Sequence, residues 1–202
     1  MSSDKGLLRQ FVYRSVVEKI HSVQRLYRPR AAMQSPAKAA VIFGVGAPAG
    51  IGAAVAMLAA KNGMRVYIAG RNSKKLEQTA ALISAAGGVS VIMALNLADQ
   101  DNIASVFSQI ADEGYIADLV VDNIGTNQPC AFLDISPAAL ESSWRNDCLS
   151  GFFIAQHALK AMLSTGRNSS DEIRNRGTLI FTGASASLRG KAGFAAFSQA
   201  KA

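Results

Sequence analysis

After residue 38 the chain alternates between short apolar runs and longer segments in which apolar residues recur at helical spacing. The apolar runs, each an expected strand, are AAVIFGV (39–45), RVYIAG (65–70), VSVIMAL (89–95), DLVVDN (118–123) and TLIFTG (178–183). Strands that are apolar throughout are typical of parallel sheets covered by helices on both faces. The alternation of strands and helices, with right-handed crossovers, predicts an α/β fold with a doubly wound parallel sheet.

Residues that begin helices lie between these runs. Asn72 or Ser73 can cap the second helix, and Asp99 opens the third. Ser136–Pro137 supplies an N-cap and a first-turn proline for a long fourth helix. Ligands of doubly wound sheets bind at the carboxyl ends of the strands. We therefore expect the chemistry in the loops after residues 45, 70, 95, 123 and 183.

The composition limits the function classes. The 202 residues are 50% apolar, which suits one domain with a sizeable core. No run of about 18 uncharged apolar residues predicts a transmembrane helix. The two cysteines, Cys130 and Cys148, are interpreted as reduced thiols. We expect no metal site, because the two histidines, His21 and His157, have no second ligand near them in the sequence.

The net charge of +7 is concentrated in an N-terminal arm, residues 1–37. Residues 1–38 contain 8 Lys and Arg against 2 Asp and Glu, whereas residues 39–202 contain 13 against 12. The nearly neutral remainder, 38–202, is the expected folded domain, and its charge argues against a nucleic-acid partner. The arm has an amphipathic, basic helical pattern. It can be a mitochondrial presequence, a helix on an anionic membrane surface or an extension without a role. We predict a cytoplasmic location, with a mitochondrial location as the alternative if the arm is a presequence.

The loop after the first strand, GVGAPAGIG (44–52), is rich in glycine and leads into a helix. Glycine permits positive φ and lets a pyrophosphate approach bare backbone. The N–H groups at the N-terminus of the next helix favour phosphate. The glycines fit two dinucleotide-binding frames, GVGAPA (44–49) and the wider GAPAGIG (46–52), of which the wider places glycines at the helix entrance. The predicted cofactor contacts in this loop are Gly46, Gly50, Ile51 and Gly52.

The end of the second strand predicts which nucleotide is bound. A carboxylate there would hold the ribose of NAD and repel a 2′-phosphate. The sequence instead reads YIAGRNSKK, with Arg71 directly after the strand and Lys74 and Lys75 close behind. A guanidinium can hold a phosphate through two hydrogen bonds. This pattern favours NADP(H) over NAD(H).

Five features in this order resemble the short-chain dehydrogenase/reductase family, from about Lys38 to the end of the chain. They are GAPAGIG (46–52), GRN (70–72), LNLAD (95–99), DNIG (122–125) and the serine-rich end of the fifth strand before Phe197-x-x-x-Lys201. The resemblance implies a Rossmann-like domain that binds a nicotinamide cofactor. It implies adenine contact at Asn96 and cofactor contacts at Asn123 and Gly125. The family domain normally continues past the lysine, so we expect an incomplete, C-terminally truncated domain that lacks the last strands.

The catalytic positions depart from the family pattern. Phe197 stands at the position of the family tyrosine, so the chain resembles a subgroup with Phe at that position and lacks the proton donor. Aligning CLSGFF (148–153) with the usual Asn-x-x-Gly-x-Phe places Cys148 where the family has an asparagine that holds a relay water. Ser185, with Ser187 as the fallback, is the predicted substrate-orienting serine. Lys201 keeps the implied role of binding the nicotinamide ribose.

Together these features predict an NADP(H)-dependent oxidoreductase that transfers a hydride between the cofactor and a small carbonyl or alcohol, with impaired proton transfer. The alternative is a non-catalytic NADP-binding or scaffold protein, or an inactive truncated fragment. The resemblance also implies that the chain can form homo-oligomers. Membrane contact is expected only through the N-terminal arm.

Overall fold

The computed structural model describes residues 37–164 and 177–202. Interpretations of the N-terminal arm fall on residues outside this part of the chain. The first half of the fold consists of β1 (Ala37–Phe43), α1 (Ile51–Lys61), β2 (Arg65–Gly70), α2 (Ser73–Ala85), β3 (Ser90–Ala94), α3 (Gln100–Asp112) and β4 (Tyr115–Asp122). A 3₁₀ turn (Phe132–Asp134), α4 (Pro137–Trp144), a π-helical turn (Arg145–Leu149), α5 (Ser150–Ser164), β5 (Thr178–Phe181), α6 (Ser185–Arg189) and α7 (Ala195–Ala200) follow.

The five strands form one parallel sheet in the order β3-β2-β1-β4-β5. Helices α1 and α2 contact each other and strands β1 to β3, whereas α3 and α5 contact each other and β4. Side chains of β1 such as Val41 and Ile42 are completely buried, as expected for a strand with helices on both faces. The predicted doubly wound, Rossmann-like α/β fold is confirmed.

The first strand ends earlier than predicted, at Phe43, and the glycine turn begins there. Gly44 has φ +78°, and the N–H groups of Gly44 and Val45 both donate to the carbonyl of Ala69, at 2.9 and 3.0 Å. Two successive donors on one acceptor are incompatible with a regular ladder, so the chain leaves the sheet at this point. The turn is therefore held against the end of β2 as well as β1.

The predicted helix caps are confirmed. The side chains of Asn72, Asp99 and Ser136 accept from the backbone N–H groups of Lys75, Asp101 and Ala139 respectively. Each bond satisfies an N–H that has no partner within the helix. Asn72, rather than Ser73, is the cap of α2.

The predicted long fourth helix contains a turn that the sequence does not signal. Between α4 and α5, residues Arg145–Leu149 form a π-helical turn. The backbone stays helical on both sides, with φ −60° and ψ −45° at Trp144 and φ −58° and ψ −42° at Ser150. Because a π turn has i→i+5 bonds and accommodates an extra residue, the side chains before it are rotated relative to those of an uninterrupted α-helix.

Candidate cofactor-binding site

A cavity of approximately 370 Å³ lies at the carboxyl ends of β1, β2 and β4. This volume is within the usual range for small-molecule sites. It is also where a doubly wound sheet binds its ligands. The lining residues come from the glycine turn, the loops after β2, β3 and β4, and the π turn: Gly44, Val45, Gly46, Gly50, Ile51, Gly52, Gly70, Arg71, Asn72, Lys75, Leu97, Asn123, Ile124, Gly125, Thr126 and Asn146.

Close backbone packing shapes the floor of the cavity. A Cβ on Gly44 would lie 2.6 Å from backbone atoms of Asn123 and Ile124, and a Cβ on Gly52 would lie 3.0 Å from Nδ2 of Asn123. The same Nδ2 donates to the carbonyl of Gly44, at 3.0 Å. Asn123 therefore ties the end of β4 to the glycine turn, and side chains larger than hydrogen cannot occupy the gap.

Gly46 differs from these structural glycines. A Cβ on Gly46 would meet no atom within 4 Å, yet the residue lines the cavity. Packing within the protein therefore does not explain why glycine stands here. Bare backbone facing a cavity is what close approach of a ligand requires.

The N-terminus of α1 borders this cavity. Its N-cap, Gly50, provides no side-chain hydrogen bond, and the first turn has no acidic residue. Gly50, Ile51 and Gly52 all line the cavity. An N-terminus without a cap offers unsatisfied donors and a partial positive charge, which suit a phosphate group. The backbone thus fits the pyrophosphate of a dinucleotide.

Two cationic side chains stand on the β2 side of the cavity. Arg71 and Lys75 line it, whereas Lys74 does not. Asn72 caps α2 between them, which fixes the start of the helix that carries Lys75. The two cations lie one turn apart at the cavity edge, in a position to bind an anionic group.

The β4 side contains a carboxyl group that sequence reasoning did not select. Asp122, the last residue of β4, is 2% exposed. Its Oδ1 accepts from the N–H of Ile124, at 2.9 Å, and its Oδ2 lies 2.8 Å from the position of a Cβ built on Gly151 of α5. Burial raises the pKa of the Asp122 carboxyl, and the negative charge of Asp147 raises it further, while the Ile124 hydrogen bond and the positive charge of Lys201 lower it.

A second buried carboxyl group, Asp147, lies in the π turn and is 4% exposed. Its Oδ1 accepts from the N–H of Thr126, at 2.8 Å, and its Oδ2 accepts from the hydroxyl of Thr126, at 2.5 Å. The hydroxyl of Ser143 also donates to Oδ2, at 3.3 Å. These bonds fasten the π turn to the loop after β4, which lines the cavity.

The structure does not bring Cys148 to the cavity. Cys148 is exposed, while its neighbour Asp147 faces the loop after β4 and Asn146 lines the cavity. The prediction came from aligning CLSGFF (148–153) with the family pattern, and the π turn at Arg145–Leu149 places Asn146 and Asp147, rather than Cys148, on the side of the site. The amide of Asn146 donates to the carbonyl of Ser142, at 2.7 Å.

Phe197 and Lys201 lie on one helical turn at the β4 side. The N–H of Lys201 donates to the carbonyl of Phe197, at 3.1 Å. The Phe197 ring covers Gly125, since a Cβ built on Gly125 would lie 3.6 Å from Cε2 of the ring. The structure therefore brings Phe197 and Gly125 together, with an apolar ring at the position that the resemblance assigns to the family tyrosine. Gly125 lines the cavity, whereas Phe197 and Lys201 do not.

Three other predicted residues lie outside the lining of the cavity. Ser185 is the exposed first residue of α6. The hydroxyl of Ser187 donates to the carbonyl of Ala184, at 2.7 Å, and so closes a local turn. Oδ1 of Asn96 accepts from the N–H of Ala98, at 3.3 Å, and the adjacent Leu97 lines the cavity instead.

Sequence reasoning noted Lys75 beside Arg71 but missed Thr126, Asn146, Asp122 and Asp147 as residues around the site. Asp122 had a signal, because a carboxyl group that ends an otherwise apolar strand is unusual for a buried position. Asn146, Asp147 and Thr126 had none, because their placement depends on the π turn.

Comparison with known proteins identifies the family. Residues 38–202 match the short chain dehydrogenase family. The chain belongs to that family. An uncharacterized short-chain type dehydrogenase/reductase of Sinorhizobium fredii is 33% identical over 144 residues, which cover 71% of this chain and 50% of that protein.

Solved structures of family members are also similar. A short-chain dehydrogenase of Rhodopseudomonas palustris has a TM-score of 0.68 and 34% identity, with 82% of this chain and 72% of that chain covered. A metagenomic short-chain oxidoreductase in complex with NADP has a TM-score of 0.71 and 25% identity, with 81% and 70% covered. The chain spans about half the length of curated relatives that it matches.

Within the described residues, no group of three or more His, Cys, Asp or Glu side chains could hold a metal ion. The helices of the same residues are all too short or too polar to cross a bilayer.

Proposed function

We propose that this chain binds NADP(H) as part of an oxidoreductase that transfers a hydride between the nicotinamide and a carbonyl or alcohol substrate. The observation that carries the proposal is the uncapped N-terminus of α1, which faces a cavity beside the bare backbone of Gly46. The family membership of residues 38–202 supports the same reading. The bound cofactor would supply or accept the hydride.

Different residues of this chain would bind different parts of the cofactor. Gly46, Ile51 and Gly52 would hold the pyrophosphate through backbone N–H groups. Gly50, whose N–H donates to the carbonyl of Ala47 at 2.8 Å, would contribute bare backbone at the same wall. Asn123 and Gly125 would form the wall on the β4 side. Lys201 would bind the nicotinamide ribose, in keeping with the family resemblance.

The preference for NADP(H) rests on the β2 side of the cavity. Arg71 and Lys75 line this side, and the described loop after β2 has no carboxylate to hold a ribose and repel a phosphate. The similar metagenomic oxidoreductase was solved with NADP. These two cations would bind the 2′-phosphate, Arg71 through two parallel hydrogen bonds.

Proton transfer is proposed to be slow. The Phe197 ring lies over Gly125, which lines the cavity, and a phenyl ring has no proton to donate. General acid catalysis contributes about 10²–10⁴-fold to rate, so hydride transfer would wait for a proton from water or substrate. If no other group supplies the proton, the rate of reduction falls to zero. The chain would then be a protein that only binds the nucleotide, or an inactive fragment.

Fluorescence titration of the 202-residue chain with NADPH and with NADH tests the proposal. We expect NADPH to bind at least tenfold more tightly than NADH, and Arg71→Ser to remove about that factor for NADPH alone. Lys74→Ser is the matched control. It removes one positive charge from the same helix start, but Lys74 does not line the cavity. Absence of binding by either nucleotide to folded protein would refute the proposed function. Equal loss in the Lys74 and Arg71 variants would refute the assignment of the 2′-phosphate.

A further inference from the structure

The two sides of the cavity differ in the sign of the nearby charges. On the β2 side, Arg71 and Lys75 line the cavity. On the β4 side, the carboxyl groups of Asp122 and Asp147 lie directly behind the lining residues and are almost completely buried. Lys201 is the cation whose charge acts on Asp122. With both carboxyl groups ionised, this side holds two negative charges against one positive charge.

The order of the strands explains why these charges are separated. Strands β2 and β4 lie on opposite sides of β1, and neighbouring strands are about 4.8 Å apart. The ends of β2 and β4 are therefore separated by about 10 Å, with the glycine turn between them. Asp122 pairs with Phe43 at the last position of β1, and Asp147 reaches the same side through Thr126.

This separation matters for the nucleotide of the proposed function, on which the inference rests. If the pyrophosphate lies on the glycine turn and the 2′-phosphate lies at Arg71, the nicotinamide extends toward the β4 side. The nicotinamide ring carries a positive charge when oxidised and is neutral when reduced, while the remainder of the cofactor keeps the same charge. We propose that Asp122 and Asp147 make the site select the oxidised, cationic form of the nicotinamide cofactor over the reduced form.

The expected size of this selectivity follows from Coulomb's law. Buried charges are screened much less than exposed ones. One unit charge about 10 Å from another, at an effective dielectric constant of about 40, changes a binding constant by about fourfold. Each carboxylate should therefore contribute about this factor to the affinity for NADP⁺ and almost nothing to the affinity for NADPH.

The same charges would assist the reduction of a carbonyl. A bound nicotinamide would supply the hydride to the carbonyl carbon and would be left as the oxidised cation, and the alkoxide oxygen of the product would take its proton from water. Fixed negative charges beside the ring stabilise the positive charge as it develops. This stabilisation would favour hydride departure in a site where Phe197 gives no proton.

The preference for NADP⁺ over NADPH should also depend on pH. The charged groups that act on Asp122 are Lys201, which follows α7, and Asp147 in the π turn. Its neighbours in the sheet, Phe43 and Phe181, are uncharged. Because the pKa of Asp122 is raised by burial, its negative charge and the preference for NADP⁺ should increase with pH. Titration of the 2′-phosphate affects both cofactor forms equally, so it cancels in their ratio.

The test is an equilibrium measurement of Kd for NADP⁺ and for NADPH at pH 8, on the 202-residue chain and its Asp122→Asn and Asp147→Asn variants. We expect each variant to weaken NADP⁺ binding about fourfold and to leave NADPH binding nearly unchanged. Asp118→Asn is the matched control. Asp118 lies on the same strand, but it pairs with Lys38 at the opposite edge, at 2.9 Å, and its removal should leave the ratio of Kd values unchanged.

The outcomes separate the inference from the proposed function. Binding of both forms with a ratio that neither variant changes would overturn the inference and leave the proposed function standing. Binding of neither form to the folded wild-type chain would overturn both. If circular dichroism shows that the variants do not fold, the ratio of the wild-type Kd values at pH 8 decides. Tighter binding of NADP⁺ than of NADPH supports the inference, and equal affinity or tighter binding of NADPH overturns it.

Discussion

Substitution of two glycines in the same turn should separate folding from cofactor binding. Gly44→Ala places a Cβ at 2.6 Å from three backbone atoms of Asn123 and Ile124, at a residue with φ +78°. The left-handed conformation costs a residue with a Cβ about 1–2 kcal/mol. Overpacking against backbone that cannot move independently adds about 1–3 kcal/mol.

The sum, about 2–5 kcal/mol, is a large part of the total stability of a domain, which is about 5–15 kcal/mol. Gly46→Ala is the matched substitution two residues away. Its Cβ would meet no atom within 4 Å, so the free energy of unfolding should change by no more than about 0.5 kcal/mol. The new methyl group would stand on the cavity surface, where we propose that the pyrophosphate approaches bare backbone.

Urea denaturation followed by circular dichroism measures the first effect, and NADPH titration measures the second. We expect Gly44→Ala to lower the unfolding midpoint strongly and Gly46→Ala to leave it nearly unchanged. Gly46→Ala should weaken NADPH binding at least tenfold. An equal loss of stability in both variants would contradict the packing account of the turn. Unchanged NADPH affinity in Gly46→Ala would refute the assignment of its backbone to the pyrophosphate.

Three further outcomes follow from single side chains. Phe197→Tyr should raise the rate of ketone reduction about 10²–10⁴-fold at saturating NADPH, and a wild-type rate that already equals the variant's would contradict the missing-donor account. Tyr67→Phe removes the hydrogen bond from the buried hydroxyl to Oε2 of Glu113, at 2.8 Å, and should cost about 1 kcal/mol of unfolding free energy in urea. Burial lowers the pKa of His157, so the unfolded chain binds a proton first, and stability should fall as pH decreases below about 6.5. His157→Gln should remove that part of the pH dependence.

The strands were predictable because a strand that is buried on both faces has apolar residues at every position. Val41, Ile42 and Phe43 are completely buried, so every position of this run had to be apolar. Helix starts were predictable for a similar reason, since Asp99 and Ser136 meet a local need of the backbone N–H groups next to them. Strand ends were less predictable, because the end of β1 depends on the carbonyl of Ala69 in another strand.

The glycine turn could be recognised, but the reasons for its individual glycines could not. Gly44 and Gly52 avoid contacts with Asn123, a residue more than seventy positions later in the chain, whereas Gly46 has no such contact. The sequence shows four glycines in one motif, of which Gly50 avoids the carbonyl oxygen of Ala47. Only the structure separates the three that packing requires from Gly46, which has open space around it.

The β4 side of the site was the least predictable part, because one extra residue in a helix decides it. The family pattern assigned Cys148 to this side of the site, whereas the structure leaves Cys148 exposed. The π turn at Arg145–Leu149 gives that position to Asp147, which changes a weakly polar thiol into a buried carboxylate. A carboxylate there adds to the negative charge of Asp122, whereas a thiol would not. The electrostatic character of this half of the cavity therefore depends on helical register, which a pattern of apolar residues does not define to within one residue.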